Sequence, residues 1–263
     1  MQSHLIQSIR IGSLLVLMAC ALTSFGQSSD TLNVVDGKGR KQGKWEKKYE
    51  NGKVRYTGQF KDDRPVGTFV YFDWNSVKMS EVRHTTNDSA QVVFYHKNGK
   101  KMAEGMYYQQ KRTGKWKFYD AEEAISSQEF YLNGVKNGPA RIYYKDGQIA
   151  RDFNHRNGLE HGKLTDYFQN GKVKFRADYV DGNPDGKVEY FHPNGAIRIL
   201  GYYRFAVQNG TWTYFDRNSL PERYEFYKEG FLKWRKSPEE MKEFQKEKKA
   251  NKTAPSDSVK VKP

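Results

Sequence analysis

Six histidines, one cysteine and 31 acidic residues are the groups with which this chain could do chemistry. A zinc-type site needs several of them at short, motif-like spacing on a common surface. Their spacing here is different. His84 and His155 stand at one slot of a long sequence period, where equivalent positions carry Tyr or Phe, and His96 and His192 share a second slot. Each therefore reads as a slot substitution and not as a member of a ligand cluster. No G-x-S-x-G elbow, H-E-x-x-H pair, P-loop or dinucleotide fingerprint is present. Asp and Glu scatter along the chain, and a carboxylate pair for glycoside hydrolysis would need only proximity in space. The expectation is a protein with no catalytic residues, no cofactor and no metal; a carbohydrate-active envelope enzyme is one alternative.

What must position any working residue is the period itself. Gly43, Gly67, Gly114, Gly138, Gly162, Gly186 and Gly210 recur in steps of 24, and Ala90 fills the one slot that comes a residue early. Eight units result. A fixed period of this length marks an array whose units bury their apolar faces only against neighbours. With the glycine as slot zero, slot eight holds Asn51, Asn75, Asn98, Glu122, Asp146, Asn170, Asn194 and Asn218. Slot nine is Gly in five units. Asn-Gly between aromatic runs predicts a two-residue type I′ hairpin turn. Asn75-Ser76 and Glu122-Glu123 depart from that pattern and predict distorted loops.

Such a turn pairs slot four with thirteen and slot two with fifteen, so even slots of the first strand share a face with odd slots of the second. Slot two is apolar throughout (Trp45, Phe69, Val92, Trp116, Ala140, Leu164, Val188, Trp212), and slot seventeen is aromatic or His. The same rule puts slot eleven, often Val or Ile, on that face. The fold class predicted is all-β: an elongated, meandering antiparallel sheet of about eight 24-residue hairpins and sixteen strands, with a short C-terminal helix. Polar Gly/Pro/Asn/Asp clusters between units read as surface turns.

Slot five lies on the opposite face, yet it carries Phe72, Tyr95, Tyr119, Tyr143, Tyr167, Phe191 and Phe215, with Lys48 the exception. Such rings either stiffen the sheet by cross-strand packing or offer a stripe for ligand contact. Tyr95, Tyr119, Tyr143, Tyr167, Phe191 and Phe215, with neighbouring lysines, are the candidate binding residues.

Residues 1–26 read as an export signal, with Arg10 before an apolar run over 11–25 and small residues Ser24 and Gly26 before a cut at Gln27. Cys20 ends Leu17-Met18-Ala19-Cys20, which resembles a lipobox; the alternative is a signal-core cysteine lost with the leader. Residues 27–42 form a polar lead-in, 43–235 the repeat array, and 236–263 a short capping helix and a disordered basic tail. Ser237, Pro238 and Glu240 compose a helix start, and Met241 and Phe244 lie on one side of it. The net charge of +14 favours an anionic envelope surface, lipid or glycan, or a protein as partner, and nucleic acid is not expected for an exported chain. The sequence leaves the oligomeric state open.

The pattern G-K-W-x-F-Y-x-x-N-G, carried best by Gly114–Tyr119 and Gly186–Gly195, resembles the MORN repeat variant over about residues 43–234. Exported bacterial proteins of this kind are similar to the YwqK-family antitoxins. The resemblance implies a non-enzymatic β-sheet binding module or scaffold with protein or lipid contacts; the export signal, with Cys20 as a candidate lipidation site, places the expected location in the periplasm or at the outer membrane. An antitoxin that neutralises a partner protein is the alternative role it implies.

Overall fold

The computed structural model describes residues 31–85 and 88–253. The expected leader with Cys20 and the tail beyond residue 253 lie outside the described residues. Eight antiparallel hairpins follow one another without a crossover. Their arms are Lys41–Lys48 with Val54–Lys61, Arg64–Phe72 with Lys78–His84, Ser89–Tyr95 with Lys101–Tyr108, and Lys111–Tyr119 with Ile125–Leu132. The fifth pairs Val135–Lys136 and Gly138–Tyr143 with Ile149–Arg156. The sixth pairs Leu159–Glu160 and Gly162–Tyr167 with Val173–Val180. The seventh joins Asn183–Phe191 to Ile197–Arg204, and the eighth Val207–Gln208 and Gly210–Phe215 to Pro221–Lys228.

Each hairpin also pairs with the next, so the array is one continuous meander. Two strands lie beyond the eight hairpins. Val34–Val35, within the polar lead-in, pairs with the first arm, and Phe231–Lys236 pairs with the last. The helix Pro238–Thr253 follows. Its capping box is formed: Ser237 N donates to Glu240 Oε2 at 2.6 Å, and Glu240 N donates to Ser237 Oγ at 3.2 Å. Met241 is buried, and the Phe244 ring lies 5.6 Å from Trp234.

The register between slots two and fifteen, and four and thirteen, is the one the sequence predicts. The turn is not. Gly52 N donates to Tyr49 O and Tyr49 N to Lys53 O, and the same pair of bonds recurs in all eight loops. Only slot nine has positive φ, from Gly52 at 81° to Ser219 at 65°, while slot eight stays right-handed. This is a three-residue loop, a type I turn ending in a left-handed residue. The seemingly aberrant loops are regular too, because Ser76 (φ 71°) and Glu123 (φ 68°) adopt the conformation that glycine takes elsewhere. The odd loop length shifts the register between slots four and five, so slot five pairs with slot eleven, as Tyr143 does with Ile149. Slot eleven therefore shares the face of slot five and not that of slot two.

Type I′ turns do occur, between the units. Asp62-Asp63, Gln109-Gln110, Asn133-Gly134, Asn157-Gly158, Asp181-Gly182, Phe205-Ala206 and Glu229-Gly230 all have both central residues at positive φ.

The recurring glycine has a local cause. At most unit junctions the incoming strand carries two extra residues against its partner, as where Ala177 faces Val188 but Tyr179 faces Pro184. The slot-zero glycine sits in that bulge at φ between 64° and 112°, and open space surrounds several of these glycines, Gly114 among them. Conformation, not room, requires glycine there. The junction before Ala90 pairs without any shift, and Thr85 N donates to Ser89 O, so three residues stand between the closing pair in place of two. Losing two residues and gaining one makes that unit short by one, and alanine is then acceptable.

The core runs along the face of slots two and fifteen as interlocking pairs. Ring atoms of Phe69, Trp116 and Trp212 lie directly over Gly58, Gly105 and Gly201 of the preceding unit. Where slot fifteen is larger, the next slot two is smaller, as with Glu129 before Ala140 and Phe153 before Leu164. Trp116 is 0% exposed although only one sheet is present. Phe94, Phe118, Tyr107 and Tyr131 surround it, and the Arg112 guanidinium lies 4.5 Å from its ring centroid.

Candidate functional site

The two histidines of slot six work as fasteners. His96 Nε2 lies 3.1 Å from Tyr119 O and His192 Nε2 lies 3.0 Å from Phe215 O, each reaching the slot-five carbonyl of the next unit. Tyr49 and Tyr144 make the same reach with their hydroxyls, to Phe72 O and Tyr167 O. Slot eight adds a second row. Asn51, Asn98, Asn170 and Asn194 donate from Nδ2 to the slot-seven carbonyl of the following loop, and each Oδ1 accepts the amide two residues on. These polar residues are taken up in joining units.

Slot five is half-buried wherever it is aromatic. Tyr119 donates its hydroxyl to Glu104 Oε1 at 2.6 Å, and Lys78 Nζ stands 3.9 Å from the Tyr95 ring centroid. Burial, and then the Glu104 carboxylate, push the Tyr119 phenol up. Arg176 covers Phe191 at 5.8 Å. The structure thus lines up Tyr95, Tyr119, Tyr143, Tyr167, Phe191 and Phe215 one unit apart on one face, each partly covered by its neighbours.

A more exposed row runs along the type I′ edge of this face. Leu132 and Val135 flank one turn, Leu159 and Val180 lie beside the next two, and Val207 and Phe231 continue the line. Phe231 is 69% exposed, and Phe205 at the tip of its own turn is 78% exposed. Val135, Leu159 and Val207 each approach the glycine of the next turn, so the exposed apolar side chains follow one another along this edge as a strip. Arg156, Arg204 and Lys228 stand opposite Leu159, Val207 and Phe231 across their turns. Tyr108, Leu132 and Val180 before the turns, and Val135, Leu159, Val207 and Phe231 after them, were available as a sequence signal. Reading the linkers as uniformly polar hides it.

At the array's end lies a buried carboxylate. Glu225, 2% exposed, accepts hydrogen bonds from Tyr214 at 2.8 Å, Tyr227 at 2.9 Å and Arg235 Nε at 2.8 Å. Arg223 Nε is 3.1 Å from Oε1 but is turned off the line of a hydrogen bond, so that contact is ionic. Arg235 comes from the added last strand, so Glu225 ties that strand to the eighth hairpin.

The repeating unit that makes the sheet and its fastened loop edge is also where the chain is similar to a known family. Three segments match the MORN repeat variant. They are residues 41–62, 160–181 and 184–204, each beginning two residues before a slot-zero glycine. MORN repeats are generally non-enzymatic, and a repeat-module binding role is consistent with them. No curated protein matches the chain in sequence. Among solved structures the chain is similar to a variant of S. aureus TarM in complex with Fondaparinux, alpha-GlcNAc-glycerol and UDP. Identity is 16% and the TM-score 0.29, over 36% of this chain and 19% of that one. It is also similar to a GtfA/B complex bound to UDP and GlcNAc, at 14% identity and a TM-score of 0.19, over 46% of this chain and 23% of that one. The chain spans about a fifth of the length of these structures.

Proposed function

We propose that this chain is an exported, non-enzymatic repeat module that acts as a scaffold by binding an acidic protein of the cell envelope along its type I′ edge. The observation that carries this reading is the exposed strip from Leu132 to Phe231, with Arg204 and Lys228 beside it, while Arg156 is paired with Asp181 at 2.9 Å. A row of exposed apolar side chains at a surface marks an interaction site, and the net charge of +14 steers an acidic partner toward the chain. The slot-five rings behind the strip stiffen the sheet and lend it a flat floor. Placing a photo-crosslinking residue at Leu159, Val180 or Val207 in cells should give one shared protein adduct, and the same residue at Lys53 should give none. Adducts equally strong at Lys53, or none anywhere, would overturn the reading. A triple Leu159→Glu, Val180→Glu, Val207→Glu variant should fold and lose the adduct formed through a crosslinker at Phe231.

A further inference from the structure

The junction without a bulge opens a groove of about 690 Å³ on the core face, lined by Pro65, Val82, His84, Asp88, Ala90, Tyr107, Gln109 and Gln110. Small-ligand sites fall in the range of roughly 300–1,000 Å³. We propose that this groove binds a neutral saccharide, one sugar ring lying between His84 and Tyr107. The site is separate from the strip assigned to the protein partner.

Three observations lead there. The first is shape. His84 and Tyr107 are the slot-seventeen residues of consecutive units, and the interlocking pair between those units is Val82 with Val92, where flanking junctions place Phe69 over Gly58 and Trp116 over Gly105. Two aliphatic side chains replace a large ring, and the floor left between the flanking aromatics is apolar. A pyranose has one apolar face suited to such a floor and to the ring of Tyr107.

The second is the chemistry of the rim. Two primary amides, one carboxylate and one imidazole surround the groove, and no lysine or arginine lines it in a chain with 45 of them. Arg112, the cross-strand partner of Tyr107, is committed to the Trp116 ring and to the Tyr107 and Tyr131 hydroxyls. Burial lowers the affinity of His84 for its proton, which keeps the imidazole neutral at pH 7. A phosphate or carboxylate would find no uncommitted cation among the lining residues. Amides and a carboxylate offer the mixed donors and acceptors that vicinal hydroxyls need.

The third is strain. Gln109 (φ 48°) and Gln110 (φ 62°) occupy both left-handed positions of their type I′ turn, where most other turns use Asn, Asp or Gly. A left-handed non-glycine residue costs of the order of 1 kcal/mol. Here the two strained residues are also the two amides on the groove, and neither side chain hydrogen-bonds within the described residues.

The test is titration of the purified chain with maltotriose and with triacetylchitotriose, followed by amide NMR shifts. At least one sugar should give saturable shifts at Val82, Ala90 and Gln110, with a Kd at or below the millimolar range. The double variant Gln109→Asn, Gln110→Gly should weaken binding at least tenfold while raising Tm, because it relieves the turn and removes the amides together. Asp88→Asn, which keeps size and turn conformation, should weaken binding several-fold at unchanged Tm. Absence of saturable shifts with both sugars overturns the proposal, as does wild-type affinity in both variants. Neither result bears on the crosslinking at the strip, so the two ideas fail separately.

Discussion

Two kinds of glycine hold this array together for different reasons, and substitution separates them. Gly105 lies under Trp116, where an added Cβ would stand 2.4 Å from ring carbons of a side chain that is itself fully enclosed. Gly114 has nothing within 4 Å of that position but holds φ at 64°. Gly114→Ala should cost about 1–2 kcal/mol from the left-handed conformation alone and leave the Trp116 environment unchanged. Gly105→Ala should cost more, about 1–3 kcal/mol from overpacking with further loss as Trp116 shifts, and should alter Trp fluorescence in the folded state. Urea unfolding of both variants with emission spectra checks the difference. Equal costs with identical spectra would show that the indole yields easily and that the interlocking pairs do not define the core. The sequence made the glycine period plain, but it did not separate conformation from close approach, because both demand the same residue. The Asn-Gly dipeptides misled in a similar way. A type I′ turn and a type I turn closed by a left-handed residue both want Gly in the last place, and only one intervening residue distinguishes them.

At the level of elements, the last strand depends on one titrating group. Burial opposes the charge on Glu225, yet the Tyr214 and Tyr227 hydroxyls and Arg235 outweigh it, and the carboxyl titrates below its ordinary value of 4.5. Because the folded pKa is depressed, the stabilisation is fully present above about 4.5 and is lost as pH falls through the lower folded value. Acid should therefore release Phe231–Lys236 and the helix behind it before the middle hairpins melt. The helix goes with the strand because its Phe244 and the strand's Trp234 are in contact. As pH falls below 4.5, hydrogen-exchange protection should drop at Phe231–Lys236 before it drops at Lys111–Tyr119, and Glu225→Gln should show that loss of protection already at pH 7. Uniform acid protection across both segments would remove Glu225 from this role. The helix was legible from Ser237, Pro238 and Glu240, whose types announce a start. The strand before it was not, since Phe231–Lys236 falls beyond the eighth hairpin and its strand character comes from pairing with Pro221–Lys228.

At the scale of the whole array, substantial contacts among the described residues run only between strands adjacent in the meander and between the helix and the last two strands. Stability in such an array is close to a sum of unit terms and nearest-junction terms, so what a deletion does depends on the junction it creates. Removing residues 116–211, four whole units, brings Trp212 onto Gly105 in place of Trp116. The new pair is chemically the same as the one lost and as the native Gly201–Trp212 pair. This shortened chain should fold with a cooperative transition and with its fasteners intact along the hairpin-loop edge. Removing residues 116–139, a single unit, sets Ala140 over Gly105 and leaves the space of an indole empty. The smaller deletion should therefore be the more damaging at its junction, by about 3–5 kcal/mol, the usual cost of emptying a large aromatic site. Comparing the unfolding of the two chains, and then of the single-unit deletion with Ala140→Trp, tests the account. Rescue by that tryptophan is the expected result. If the larger deletion proves the less stable at its junction and Ala140→Trp rescues nothing, the fit between slot fifteen and the next slot two is not what selects neighbours in this sheet.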